Sequence, residues 1–306
     1  DANAAAYEGT VAADNYDGTP DDDVFSFDNG TFSVLGDDTI DGGVGNLDTL
    51  AFGSAIDFSN DDAFENVTNV EKITLANGAN KLSLGINTDA AGITTVVGGT
   101  GADTIDGSLS DKNLALSGGD GNDQLWAGSG GDTLTGDAGD DTFFFNSNNL
   151  DFNDSVIGGS GNDILEFATG GLVNDNNSGG LVGVKGVETI RFSAEGNKLS
   201  IADGDADGLS LIVGDIGDDY IDASGRSAGS NGEGLIFDMG GGDDTINGTL
   251  GKDTFRFAIN ELTAGDAIAP GQIGGDTLEF TTSGSIGDSD LTLLNKSEIT
   301  TLKLSS

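Results

Sequence analysis

Residues 118–144 fall into three consecutive blocks of nine: Gly118 to Trp126 reads GGDGNDQLW, Ala127 to Thr135 AGSGGDTLT, and Gly136 to Phe144 GDAGDDTFF. They follow the form G-G-x-G-x-D-x-U-x with U apolar, with Ala127 and Asp137 standing at its first and second Gly positions. A fixed short period of this kind marks a coiled repeat architecture, so it decides the fold before any other feature. Each block holds a Gly/Asp turn followed by three residues with an apolar centre, which is one short strand with a single inward side chain. A turn whose carbonyls point inward around a cation needs backbone dihedrals that only Gly adopts cheaply, and the Asp carboxylate adds a charged oxygen.

The same nonapeptide recurs outward from this core at Gly98 (GGTGADTID), Gly158 (GGSGNDILE), Gly214 (GDIGDDYID), Met239 (MGGGDDTIN) and Gly248 (GTLGKDTFR). Looser copies start at Gly18, Ser33, Gly43 and Gly271. The sixth position is Asp in all twelve copies: Asp23, Asp38, Asp48, Asp103, Asp123, Asp132, Asp141, Asp163, Asp219, Asp244, Asp253 and Asp276. Two places on sits Phe25, Ile40, Leu50, Ile105, Leu125, Leu134, Phe143, Leu165, Ile221, Ile246, Phe255 or Leu278. The aspartates are the candidate metal ligands, with Gly98, Gly118, Gly121, Gly136, Gly139, Gly158, Gly161 and Gly214 shaping their loops. Asx-turn hydrogen bonding is the competing role, most of all at Asp23, Asp38, Asp48 and Asp276. Two nonapeptides make one coil, so turns on one edge lie 18 residues apart, as Asp123 and Asp141 do.

A longer period overlies the short one. D-x-F-x-F recurs at Asp23, Asp141 and Asp253, and strands of the type V-E-x-I-x-[LF] follow at Val70 and Val187, with a looser counterpart from Ile299 to Leu304. The expected organisation is a lead-in coil over 1–27, large units over 28–145 and 146–257, and a truncated unit over 258–306, all in one continuous solenoid. Segments 107–117 and 223–238 read as inserts, and 146–154, 173–183 and 223–234 as projecting loops. No stretch carries a convincing 3.6-residue period. Asn231 to Ile236 (NGEGLI) stands where a nonapeptide is due but lacks the Asp, so fewer ions are expected in the second large unit.

Composition agrees. The chain has 306 residues with 53 Asp and Glu against 11 Lys and Arg, a net charge of −42, and 52 Gly. That charge excludes electrostatic binding to nucleic acid or to an anionic membrane. With no His and no Cys, thiol nucleophiles, Ser-His-Asp triads and imidazole zinc sites are excluded, which leaves oxygen ligands for hard cations. No apolar run is long enough to span a bilayer as a helix, so membrane insertion is not expected. The first residue is Asp1, which fits a processed chain, a fragment, or export without an N-terminal signal. Nothing in the sequence provides a nucleophile, base or cofactor motif, and the chain is not expected to be an enzyme. Glu71 and Glu188, at matching places in the long period, read as repeated structural residues. Trp126 and Tyr220 flank inward positions and should face outward.

These nonapeptides resemble the RTX family of calcium-binding repeats. The resemblance is densest from Gly98 to Phe144 and interrupted elsewhere. It implies an all-β fold, a right-handed parallel β-roll or β-helix solenoid with interrupted turns and loop insertions, multiple Ca²⁺ ions, and secretion by a one-step bacterial system. Mixed with V-E-x-I-x-L strands, the pattern is similar to bacterial surface-layer proteins and large RTX adhesins. Twelve divalent ions would take the charge from −42 to −18, so the expectation is a chain that folds on meeting extracellular calcium. The expected function is a secreted or cell-surface structural protein that assembles with itself. The alternative is an adhesin extender or the accessory module of a secreted polysaccharide-active enzyme, with cell-surface polysaccharide as partner.

Overall fold

A computed structural model describes residues 6–8, 15–27, 39–173, 180–192, 196–271, 275–284 and 299–304. The chain is all-β, a parallel β-solenoid of short strands, and it divides into two compact units: 1–144 with 154–163, and 145–153 with 164–306.

In the first unit, Val24–Phe27, Thr49–Phe52, Lys72–Thr74, Thr95–Val97, Ala115–Asp120, Thr133–Ala138 and Ser155–Ser160 pair in that order, all parallel. The register places Phe25, Leu50, Ile73, Val96, Leu116, Leu134 and Val156 in one inward file, and all seven are buried. A second sheet runs Asp57–Phe58, Lys81–Ser83, Thr104–Asp106, Gln124–Trp126 and Thr142–Asn146, with Phe58, Leu82, Ile105, Leu125 and Phe143 as its inward file. In the second unit one file is Leu165, Ile190, Ile212, Phe237, Phe255 and Leu278, and another is Val173, Leu199, Ile221, Ile246 and Ile268. Each strand thus contributes one or two inward apolar side chains, as Phe143 and Phe145 do from Thr142–Asn146. Burial of each Leu, Ile or Phe supplies about 1.5–3 kcal/mol, so a core one side chain thick is held by repetition.

All twelve apolar residues read from the nonapeptide are at most 2% exposed. Phe143, Phe145, Phe255 and Phe257 are likewise buried, and Phe237 stacks on Phe255 with 5.3 Å between ring centroids.

Several expectations are corrected. Coils are not uniformly of 18 residues: sequence separation between equivalent residues is 18 from Asp123 to Asp141 but 25 from Asp23 to Asp48. The extra residues sit in the turns and leave the strand files in register. The supposed insert 107–117 contributes to the strand Ala115–Asp120, and 223–238 holds parts of Tyr220–Gly225 and Glu233–Asp238. Among the described residues there is also one short α-helix, Ile86–Ala91, at whose start the Gly85 N–H donates to Thr88 Oγ1 at 2.7 Å and which ends at Gly92 in the left-handed region. At six residues it is too brief for periodicity to betray it.

Candidate calcium-binding ladder

The sixth-position aspartates build one repeated arrangement. The loop before the strand turns the Asp side chain inward. At every described sixth position from Asp48 onward, Oδ1 accepts a hydrogen bond from the backbone N–H at the equivalent place in the preceding coil, while the Asp23 carboxylate accepts from Thr19 in its own loop. Asn80, Asp103, Asp123 and Asp141 donate in this way to Asp103, Asp123, Asp141 and Asp163, at 2.7 to 2.9 Å. On another edge Leu114 donates to Asp132, and Asp132 to Asp154. Asp23 donates to Asp48, and Asp48 to Glu71 Oε2. In the second unit Asn197, Asp219 and Asp244 donate to Asp219, Asp244 and Asp266, while Leu235 and Asp253 donate to Asp253 and Asp276. Eleven of the twelve sequence-derived aspartates are buried, at most 2% exposed; Asp38 lies outside the described residues.

Their second oxygens divide into two kinds. Asp103, Asp132 and Asp253 turn Oδ2 back onto their own loops, accepting the N–H four residues earlier, from Gly99, Gly128 and Thr249. Asp48, Asp123, Asp141, Asp219 and Asp244 bury an Oδ2 that has no hydrogen-bond partner. A buried carboxylate oxygen without a partner costs free energy unless a cation or proton meets it. Burial, reinforced by neighbouring carboxylates, accordingly pushes Asp123 and Asp219 up to about 6, Asp141 to about 7 and Asp244 to about 8, against the backbone N–H bonds that pull the other way. Asp48 is raised for the same leading reason.

Glycine makes the room. A Cβ on Gly118 or Gly136 would collide with Oδ2 of Asp123 or Asp141, and on Gly98 or Gly214 it would come within 2.9 or 2.8 Å of Oδ2 of Asp103 or Asp219. The fourth-position glycines stack through the loops: a Cβ on Gly121, Gly139 or Gly161 would strike the carbonyl oxygen of Gly101, Gly121 or Gly139, and all three have φ between +137° and +151°. The Gly158 carbonyl lies 2.5 Å from where a Gly136 Cβ would sit. Among the described residues no three acidic side chains converge on one metal position. A hard cation here would draw one or two carboxylate oxygens from the ladder and the rest from loop carbonyls, the all-oxygen set that suits Ca²⁺. Orphaned buried Oδ2 atoms beside side-chain-free glycines fit that ion.

Three parts of this arrangement emerge only from the structure. Asp154 and Asp266 hold full rungs without a glycine-rich turn, and only the local D-x-V and D-x-I strings could have revealed them. Glu71, read as structural, serves as the rung after Asp48. The fifth position forms a second, exposed ladder of opposite direction: Asn122 Oδ1 accepts from Asp140 N–H, Asp140 from Asn162, and Asp218 from Asp243. Trp126 stacks face to face on Phe144 with 3.9 Å between centroids, and Lys198 Nζ lies 5.2 Å from the Tyr220 ring centre.

The fold and ladder define a calcium-binding β-roll. The family profile for the RTX calcium-binding nonapeptide repeat (4 copies) matches residues 35–54, 90–111, 116–149, 150–171 and 240–256. No curated protein matches the chain. The chain is an RTX-type calcium-binding β-roll protein, with repeats of a kind typical of secreted proteins, and its cofactor is Ca²⁺ in several copies. Among the described residues no helix is long and apolar enough to cross a membrane.

Proposed function

We propose that this is a non-enzymatic structural protein of a bacterial surface, a subunit of a surface layer, sheath or filament, that folds on binding calcium after export and then associates with copies of itself. The observation that carries the reading is the strand Ile299–Leu304. It pairs on one side with Asp276–Phe280, and its Leu302 and Leu304, in register with buried Leu278 and Phe280, are 58% and 65% exposed. An apolar sheet edge of this kind accepts a further coil, whether from the same chain or from a second copy, and the assembly reading takes the second copy. Calcium governs the step because a net charge of −42 opposes association until it is partly neutralised.

The test is circular dichroism and particle size across a calcium titration from chelator to about 10 mM, the range in which extracellular modules fill, with magnesium as control. A calcium-specific gain of β-structure followed by growth, abolished by Leu302→Asp with Leu304→Asp, is expected. A folded monomer that never grows would overturn assembly and move the reading to an adhesin extender or an accessory module that binds surface polysaccharide.

A further inference from the structure

In the second unit, residues 203–209 read Asp-Gly-Asp-Ala-Asp-Gly-Leu. Three acids at alternate positions closed by glycine is the spacing with which a loop wraps calcium, the next residue adding its backbone carbonyl. The loop lies outside the nonapeptides and outside the aspartate ladders. Its backbone is shaped for wrapping, with positive φ at Gly204 (+88°), Ala206 (+43°) and Gly208 (+104°).

A cation already stands inside it. Arg226 Nη1 donates to the carbonyl oxygen of Asp205 at 2.8 Å, and Nη2 to that of Leu209 at 3.4 Å, the carbonyl that a calcium loop of this spacing offers its ion. Asp203, Asp205 and Asp207 all exert attraction on the guanidinium. Two of the three carboxylates are themselves spent on backbone and hydroxyl donors. Asp203 takes the Ser227 N–H at 2.6 Å and its Oγ at 2.8 Å, and Asp205 Oδ2 takes the Ala202 N–H at 2.8 Å. Among the described residues these acids do not converge as a metal group. The Arg226 backbone is anchored at both ends: its N–H donates to Ala223 and its carbonyl accepts from Leu250. A planar guanidinium placed this way meets two carbonyls from two nitrogens of one rigid fork, whereas an ammonium is a compact point charge on a flexible stem.

We propose that Arg226 is the resident cation of the 203–209 loop, a tethered guanidinium in the place of a metal ion, so that this coil is held shut without calcium while its neighbours require it. The clamp joins the loop to the segment Ala223–Ser227 one coil on.

The test uses the full chain in calcium. Hydrogen exchange at 202–209 is followed from 0.5 to 20 mM calcium in the wild type, Arg226→Gln and Arg226→Lys, with bound calcium counted by elemental analysis. Once the chain has folded, wild-type protection there should be flat across the range. Arg226→Gln should lose tenfold or more at the low end and recover as calcium rises, with up to one more ion per chain. Arg226→Lys should fall between. Unchanged exchange in Arg226→Gln, or a loss that calcium does not restore while Arg226→Lys suffers equally, would overturn the proposal. Should the variants not fold, the wild type decides: Arg226 guanidinium proton signals that hold still through the titration support the proposal, and signals displaced by calcium refute it.

Discussion

The backbone N–H of Asp123 donates to Oδ1 of Asp141, 18 residues later and 2.8 Å away, while Oδ2 of Asp141 is buried with no hydrogen-bond partner. One carboxylate therefore does two jobs: one oxygen ties adjacent coils together and the other calls for a cation. The two jobs separate by substitution. Asp141→Asn keeps a carbonyl-type acceptor for the Asp123 N–H but removes the charge, and should raise the calcium midpoint for folding of the first unit several-fold. Asp141→Ala also strands the buried N–H, and should cost a further 1–3 kcal/mol or so in saturating calcium. Calcium titrations and denaturant melts of the two variants read the two effects apart.

The raised carboxyls predict an unusual pH dependence. In the metal-free chain, Asp123, Asp219, Asp141 and Asp244 hold protons up to about pH 6, 6, 7 and 8, well above the ordinary carboxyl range they return to on unfolding. The folded state then binds more protons than the unfolded one, so stability of the chelated protein should rise as pH falls from about 8 towards 4, and be lost as pH rises through 6 to 8. With calcium bound the protons compete with the ion, and the calcium midpoint should move to higher concentration on acidification. Thermal melts in chelator and in calcium at pH 5, 6.5 and 8 should slope in opposite directions.

Glycine positions should differ sharply in what they tolerate. Gly139→Ala places a methyl against the Gly121 carbonyl at φ +137°, and should destabilise by about 1–3 kcal/mol from the backbone alone. Gly241 has nothing within 4 Å of its would-be Cβ, and Gly241→Ala should leave the melt within about 0.5 kcal/mol of wild type.

Trp126 is the sole tryptophan, and it rests on Phe144 at 3.9 Å. Its fluorescence should therefore report folding of the first unit. Phe144→Ala should shift that emission at a cost of about 0.5–1.5 kcal/mol for the lost ring pair, while Phe143→Ala, in the core, should cost about 3–5 kcal/mol.

The inward files could be read from sequence because each obeys a local rule: an Asp, one residue, then an apolar residue. That rule placed Leu125, Phe143 and Phe255 correctly. Coil length could not be read, since the 18-residue spacing of Asp123 and Asp141 is only the shortest case and turns absorb extra residues at no cost to the files. Asp154 and Asp266 escaped because their turns lack the glycine signature, although a rung needs only the carboxylate and the strand behind it. Arg226 escaped for another reason: its place in the 203–209 loop depends on a partner 17 to 21 residues away, and nothing local marks it.

The variable interval between rungs has a practical consequence. Rungs separated by 18, 20, 22, 23 and 25 residues close with nearly the same bond, 2.7 Å at Asp103 and 2.6 Å at Asp23. Geometry is thus dictated at two points per coil while the outer turns are left to vary in length. Foreign peptides spliced into an exposed turn, such as Gly229–Gly232, should ride on the roll without disturbing it, each held at a pitch of one strand spacing, about 4.8 Å, from the next. The architecture is a ruler that accepts labels.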